Sequence, residues 1–245
     1  MYLVRSQIAS IAGNLALVAP TMLLLHFLIL WWTGKEIMPP EKALKAMDSI
    51  SIFGPSLIYA AFTGVLLWAS SLAAAWAGNW FACHHIGAAL AADRRLIRAL
   101  GTSRAGRFAR FCTRNIAAAS GNVSFGFMLG LLPEMAQFAS LPLNIRHVTL
   151  SACFLTASMA TLGAGALGTK PFGLAALGIA GIGFMNLTVS FSLAMFVATR
   201  ACGIQSPERH AIYRAVARRV WRRPFSFLLP TGGDKTAAAP LPHHA

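Results

Sequence analysis

Apolar positions in this chain gather into long unbroken stretches, near residues 8–32, 50–80, 116–140, 147–168 and 172–199, with short polar or arginine-rich segments between them. A bilayer core about 30 Å thick is crossed by roughly 20 apolar residues in helical form, and the five stretches are of that order. None shows the alternating pattern, about ten residues long, of a membrane β-strand. The pattern predicts an all-α, polytopic helical membrane protein. The first stretch follows Arg5 and invites the reading of a cleaved signal, but it closes on Trp31 and Trp32 rather than on small residues. It is also about twice as long as a signal core, so a spanning helix with an aromatic belt is expected.

Composition agrees: 56% of the residues are hydrophobic, 11% are charged, and the mean hydropathy is +0.61. The net charge of +14 is concentrated. Residues 82–115 carry Arg94, Arg95, Arg98, Arg104, Arg107, Arg110 and Arg114 against Asp93, and residues 200–223 carry seven more arginines against Glu208. The positive-inside rule places both blocks in the cytoplasm and the mixed-charge segment from Lys35 to Asp48 outside. Five full crossings would separate the two blocks, so one stretch is expected not to cross. Residues 116–140 hold Gly121, Gly126, Gly130, Pro133 and Glu134, and irregular backbone at membrane depth survives only where protein or water satisfies it. The expected architecture is four spanning helices plus a re-entrant or broken helical hairpin at 116–140, with five spans as the alternative. Residues 1–199 form the helical transmembrane domain, including the cytoplasmic basic amphipathic segment 82–115. Residues 200–229 form a cytoplasmic basic amphipathic helix, and 230–245 a disordered tail.

The candidate chemistry lies at Pro-Leu-Asn-Ile-Arg-His-Val-Thr-Leu-Ser, 142–151, where Arg146 and His147 precede an apolar run. Ionisable residues inside a bilayer are usually paired or line a polar path, so Glu134 is expected to pair with Arg146, and Asn122 joins them in a polar membrane site. The plainer alternative has Arg146 snorkelling to headgroups and Glu134 capping a broken helix. Gly126-x-x-x-Gly130, the glycines from Gly163 to Gly181 and the amide of Asn186 are expected to serve helix packing.

Arg104, Arg107, Arg110 and Arg114 fall on one stripe of a predicted helix after Gly101, beside Phe108 and Phe111. Ser206-Pro207-Glu208 opens a second helix, carrying Arg214, Arg218 and Arg222 beside Ile212 and Val216. Both suit anionic lipid at about 1 kcal/mol per basic residue, and DNA phosphate would attract the same side chains. Cys83, Cys112, Cys153 and Cys202 lack ligand spacing, so no metal and no cofactor is implied.

The stretches Gly-Pro-Ser-Leu-Ile-Tyr-Ala-Ala-Phe-Thr-Gly-Val-Leu-Leu-Trp (54–68), Gly-Asn-Val-Ser-Phe-Gly-Phe-Met-Leu-Gly (121–130) and Leu-Pro-Leu-Asn-Ile-Arg-His-Val-Thr-Leu-Ser (141–151) resemble the C-terminal membrane part of the bacterial site-specific recombinase family of the Gcr type. The resemblance covers most of residues 5–225. It implies a bacterial inner-membrane protein, DNA as a partner, and an N-terminal, mostly non-membrane portion that the longer members carry. Self-association, or pairing with a separately encoded N-terminal part, is the corresponding expectation. Tyrosine-type strand exchange needs a nucleophilic tyrosine with arginines and a histidine at the phosphate. The tyrosines are Tyr2, Tyr59 and Tyr213, and only Tyr213 lies among such residues, Arg209, His210 and Arg214. A cluster on one short helix makes no folded pocket, and no nucleophile domain of the serine type is visible.

Overall fold

The computed structural model describes residues 2–203 and 206–222, and every regular element among them is helical. The expected tail 230–245, and the end of the 200–229 segment, lie outside the described residues. Among the described residues, four helices are long and apolar enough to cross a membrane. They are α1 (Tyr2–Thr33, with its apolar part at Ile11–Thr33), α3 (Ser56–Cys83), α6 (Thr102–Phe138) and α8 (Lys170–Ala201). Between α1 and α3 lies α2 (Pro40–Ile50). Between α3 and α6 lie α4 (Ile86–Ala92) and α5 (Arg94–Leu100), and α7 (Val148–Leu162) precedes α8. The last described element is α9 (Ser206–Arg222).

Small residues set the packing of this bundle. Helix α3 lies between α6 and α8. A Cβ on Gly64 would approach Val189 Cβ to 2.8 Å, and one on Gly121 would approach Ala74 Cβ to 3.1 Å. At Gly178 a Cβ would collide with the carbonyl of Ile50, so the end of α2 rests on the bare backbone of α8. The core continues through Met47, Ile50, Ala60, Val148, Leu155, Ile179 and Ile182.

Residues 116–140 are not a broken hairpin. All but the last two of them belong to α6, a continuous helix of 37 residues that ends at Phe138. Glycine lowers helix propensity by about 1 kcal/mol in water, but hydrocarbon offers the backbone no partner outside the helix. Pro133 stands near the C-terminal end, where it interrupts few following turns. A Cβ on Gly126 or Gly130 would meet nothing within 4 Å, so the packing expected of them is not made among the described residues. The glycines from Gly163 to Gly173 are also open, whereas Gly178 and Gly181 pack tightly.

The interruption falls later. Residues 139–147 form a non-helical connector, turned at its start by Ser140 with φ of 54°. It leads into α7, whose 15 residues reach only about 22 Å, short of a bilayer core of about 30 Å. Thr161 near the end of α7 donates to the Met38 carbonyl (3.3 Å) just ahead of α2. The start of α7 lies deeper, because the Arg146 N–H donates to Thr63 Oγ1 (3.1 Å), about 10 Å along α3 from Ser56. The connector and α7 therefore dip into the bundle from the end that carries α2 and return to it.

At the opposite end, α6 projects: its length of about 55 Å exceeds the bilayer core by about 25 Å. The projecting turns bear Arg104, Arg107, Arg110 and Arg114, all exposed. Helices α4 and α5 fold back against this part of α6, with Asp93 capping α5 by accepting from the Leu96 N–H (2.7 Å).

Candidate functional site

A backbone that leaves helical form at membrane depth needs its polar groups satisfied, and the connector finds its partner in Asn186. The donors and acceptors around this buried side chain fix its amide orientation. The nitrogen donates to the carbonyls of Ala60 (2.7 Å) and Arg146 (3.3 Å), and the oxygen accepts from the Val148 N–H (3.2 Å), the first of α7. One amide thus joins α3, the connector and the start of α7 to α8. Upstream, the Tyr59 hydroxyl donates to the Pro142 carbonyl (3.1 Å).

Below this junction, toward the arginine end, lies a cavity of about 460 Å³. His147 and Val148 close it on the α2 side, and its walls come from α1 (Asn14), α3 (Trp68, Ser70), α6 (Asn122, Phe125) and α8 (Asn186, Ser190). The cavity wall thus brings Asn122 and His147 together, two of the four residues of the expected polar site. The His147 ring stands edge-on to Phe125, with centroids 5.1 Å apart.

Arg146 itself does not line the cavity. Its Nε is buried without a partner. Glu134 is exposed on α6, and no ion pair joins it to Arg146. The expected pair is therefore not formed: the chain turns back at Ser140, and Arg146 is drawn to the α3–α8 face through its backbone. Asn14 and Trp68 are not among the residues expected at the site, and only the packing of helices distant in sequence brings them in. The indole N–H of Trp68 is buried and unpartnered.

The arginine faces are solvent-accessible: Arg104, Arg107, Arg110 and Arg114 on α6, and Arg214, Arg218 and Arg222 on α9. Helix α9 is tied to α8 through the hydroxyls of Tyr213 and Thr199, 3.2 Å apart. Among the described residues no group of three or more His, Cys, Asp or Glu stands together as a metal site would require.

None of the curated proteins and none of the solved structures compared matches the chain. Residues 1–230 match the family described as Site-specific recombinase. That match takes in the arginine-bearing helices, the cavity walls and the connector, and the chain belongs to this family.

Proposed function

We propose that this chain is a multi-pass protein of the bacterial inner membrane, with its arginine helices and C-terminus in the cytoplasm, and with a polar binding site at membrane depth. Its arginine faces hold the phosphates of anionic lipid. The observation that carries this reading is the dip of α7: with four spanning helices and one re-entrant element, residues 82–115 and 200–222 emerge at the same end of the bundle. The arginines of these two segments would then face one leaflet rather than be divided between two compartments.

Strand exchange by this chain alone is not part of the proposal. The Tyr213 hydroxyl faces Thr199 rather than a pocket of arginines, and the family's description supports a second reading, in which the same arginines grip DNA. The two readings separate on purified protein. Replacing Arg104, Arg107, Arg110 and Arg114 by Gln should reduce enrichment of phosphatidylglycerol around the protein about fivefold per residue, the equivalent of about 1 kcal/mol each. Duplex DNA should bind only weakly and be released by salt, as non-specific phosphate contacts are. Sequence-selective DNA binding that survives high salt, with unchanged lipid enrichment in the variant, would refute the lipid reading.

A further inference from the structure

The cavity under the connector has a chemical character of its own, and the inference drawn from it rests on the reading of this chain as a membrane protein. Four polar groups from four different elements line it: the indole N–H of Trp68 on α3, buried without a partner, the exposed amides of Asn14 on α1 and Asn122 on α6, and the half-buried ring of His147 in the connector, which stands against Phe125. In hydrocarbon, each amide left dry costs several kcal/mol, so a packed apolar interior is a poor explanation for them.

Among the described residues, no Asp, Glu, Lys or Arg lines the cavity. An ion entering would lose its hydration without gaining a counter-charge, a cost of several kcal/mol per ion. A neutral molecule with hydroxyl or amide groups would meet donors and acceptors on four sides and the aromatic faces of Phe125 and Phe191. The volume of about 460 Å³ falls within the range of small-molecule sites, roughly 300–1,000 Å³. We infer that the cavity is a binding site for a small neutral polar solute, bearing hydroxyl or amide groups, that enters from the arginine end and stops at His147 and the first turn of α7.

Trp68 reports on this directly. In proteoliposomes, its fluorescence is isolated as the difference between the wild-type protein and Trp68→Phe, and is challenged with acrylamide (a small neutral amide), with iodide, with caesium, and with lipid brominated on its acyl chains. The expected result is quenching by acrylamide at least about tenfold more effective than by either ion, with little effect of brominated lipid. As a second readout, independent of Trp68→Phe, cysteine placed at Asn122 in a chain whose four native cysteines are alanine should react with N-ethylmaleimide and resist charged methanethiosulfonates. Iodide or caesium acting as well as acrylamide would overturn the neutral-solute inference while leaving a wet cavity in place. Quenching by brominated lipid in place of acrylamide would show an acyl chain in the cavity and overturn it as well. Silence from all four quenchers, with an unreactive cysteine, would remove the cavity itself and the polar site of the proposed function with it.

Discussion

Replacing Asn186 by Leu tests how the bundle tolerates a connector at membrane depth. Leucine keeps most of the volume and removes three hydrogen bonds, to Ala60 (2.7 Å), Arg146 (3.3 Å) and Val148 (3.2 Å). The Ala60 carbonyl keeps its bond within α3, so two backbone groups are orphaned: the Arg146 carbonyl and the first N–H of α7. At about 1–3 kcal/mol for each buried group left unsatisfied, the loss is about 2–6 kcal/mol. Hydrogen bonds measured within membranes average nearer 0.6 kcal/mol, because an unfolded helix in lipid finds other partners. That discount applies less here. The Val148 N–H has no partner within α7, and the connector is not a helix that could satisfy itself. The expected destabilisation is therefore about 2–4 kcal/mol, read from reversible unfolding in mixed micelles by titration with sodium dodecyl sulfate. Ser192→Ala, at an exposed position of the same helix, is the control and should change stability by less than about 0.5 kcal/mol. An Asn186→Leu protein as stable as this control would show that the amide does not hold the connector, and the re-entrant account of α7 would fall with it.

The glycines give a paired test. Gly178→Ala should cost about 2 kcal/mol or more, because a Cβ there collides with backbone of α2 that no rotamer change can move, and the same unfolding titration checks it. Gly126→Ala and Gly130→Ala, facing open space, should leave the monomer unchanged or stabilise it by up to about 1 kcal/mol. A large loss at either position, dependent on protein concentration, would reveal a partner seated on α6. Tyr213→Phe removes the hydroxyl contact with Thr199 and should cost about 0.5–1.5 kcal/mol locally, seen as faster hydrogen exchange across α9 with α3 and α8 unaffected.

Much of the fold is legible in the apolar runs, because membrane spans are written as continuous stretches and need no long-range information. Which run fails to cross is not legible in the same way. Gly121, Gly126, Gly130 and Pro133 point to a break by local propensity, yet the backbone of α6 has nowhere else to bond and stays helical. The stretch 147–168 resembles a span until Gly163 ends α7 at 15 helical residues. Its φ of 81° is one that glycine adopts without strain. Counting charges correctly requires one non-crossing element. It cannot say which, because that depends on where a side chain such as Asn186 waits to receive the interrupted backbone.

The polar site shows the same division between local and distant information. Asn122 and His147 can be singled out because a polar residue in an apolar run is conspicuous, and the fold puts both on one cavity wall. Glu134 is equally conspicuous, yet it stands exposed near the end of α6, within a turn of Phe138, where a carboxylate can reach the headgroup region at little cost. Depth decides between these outcomes. A charge near a helix end escapes toward water, so pairing Glu134 with Arg146 offers little. An amide in the middle of a span has no such escape and must be met by protein, water or ligand. Asn186 is met by protein at three points, while Asn14 and Asn122 are not. These two amides, exposed on the cavity wall, join the buried indole N–H of Trp68 as groups whose partners have to come from outside the chain.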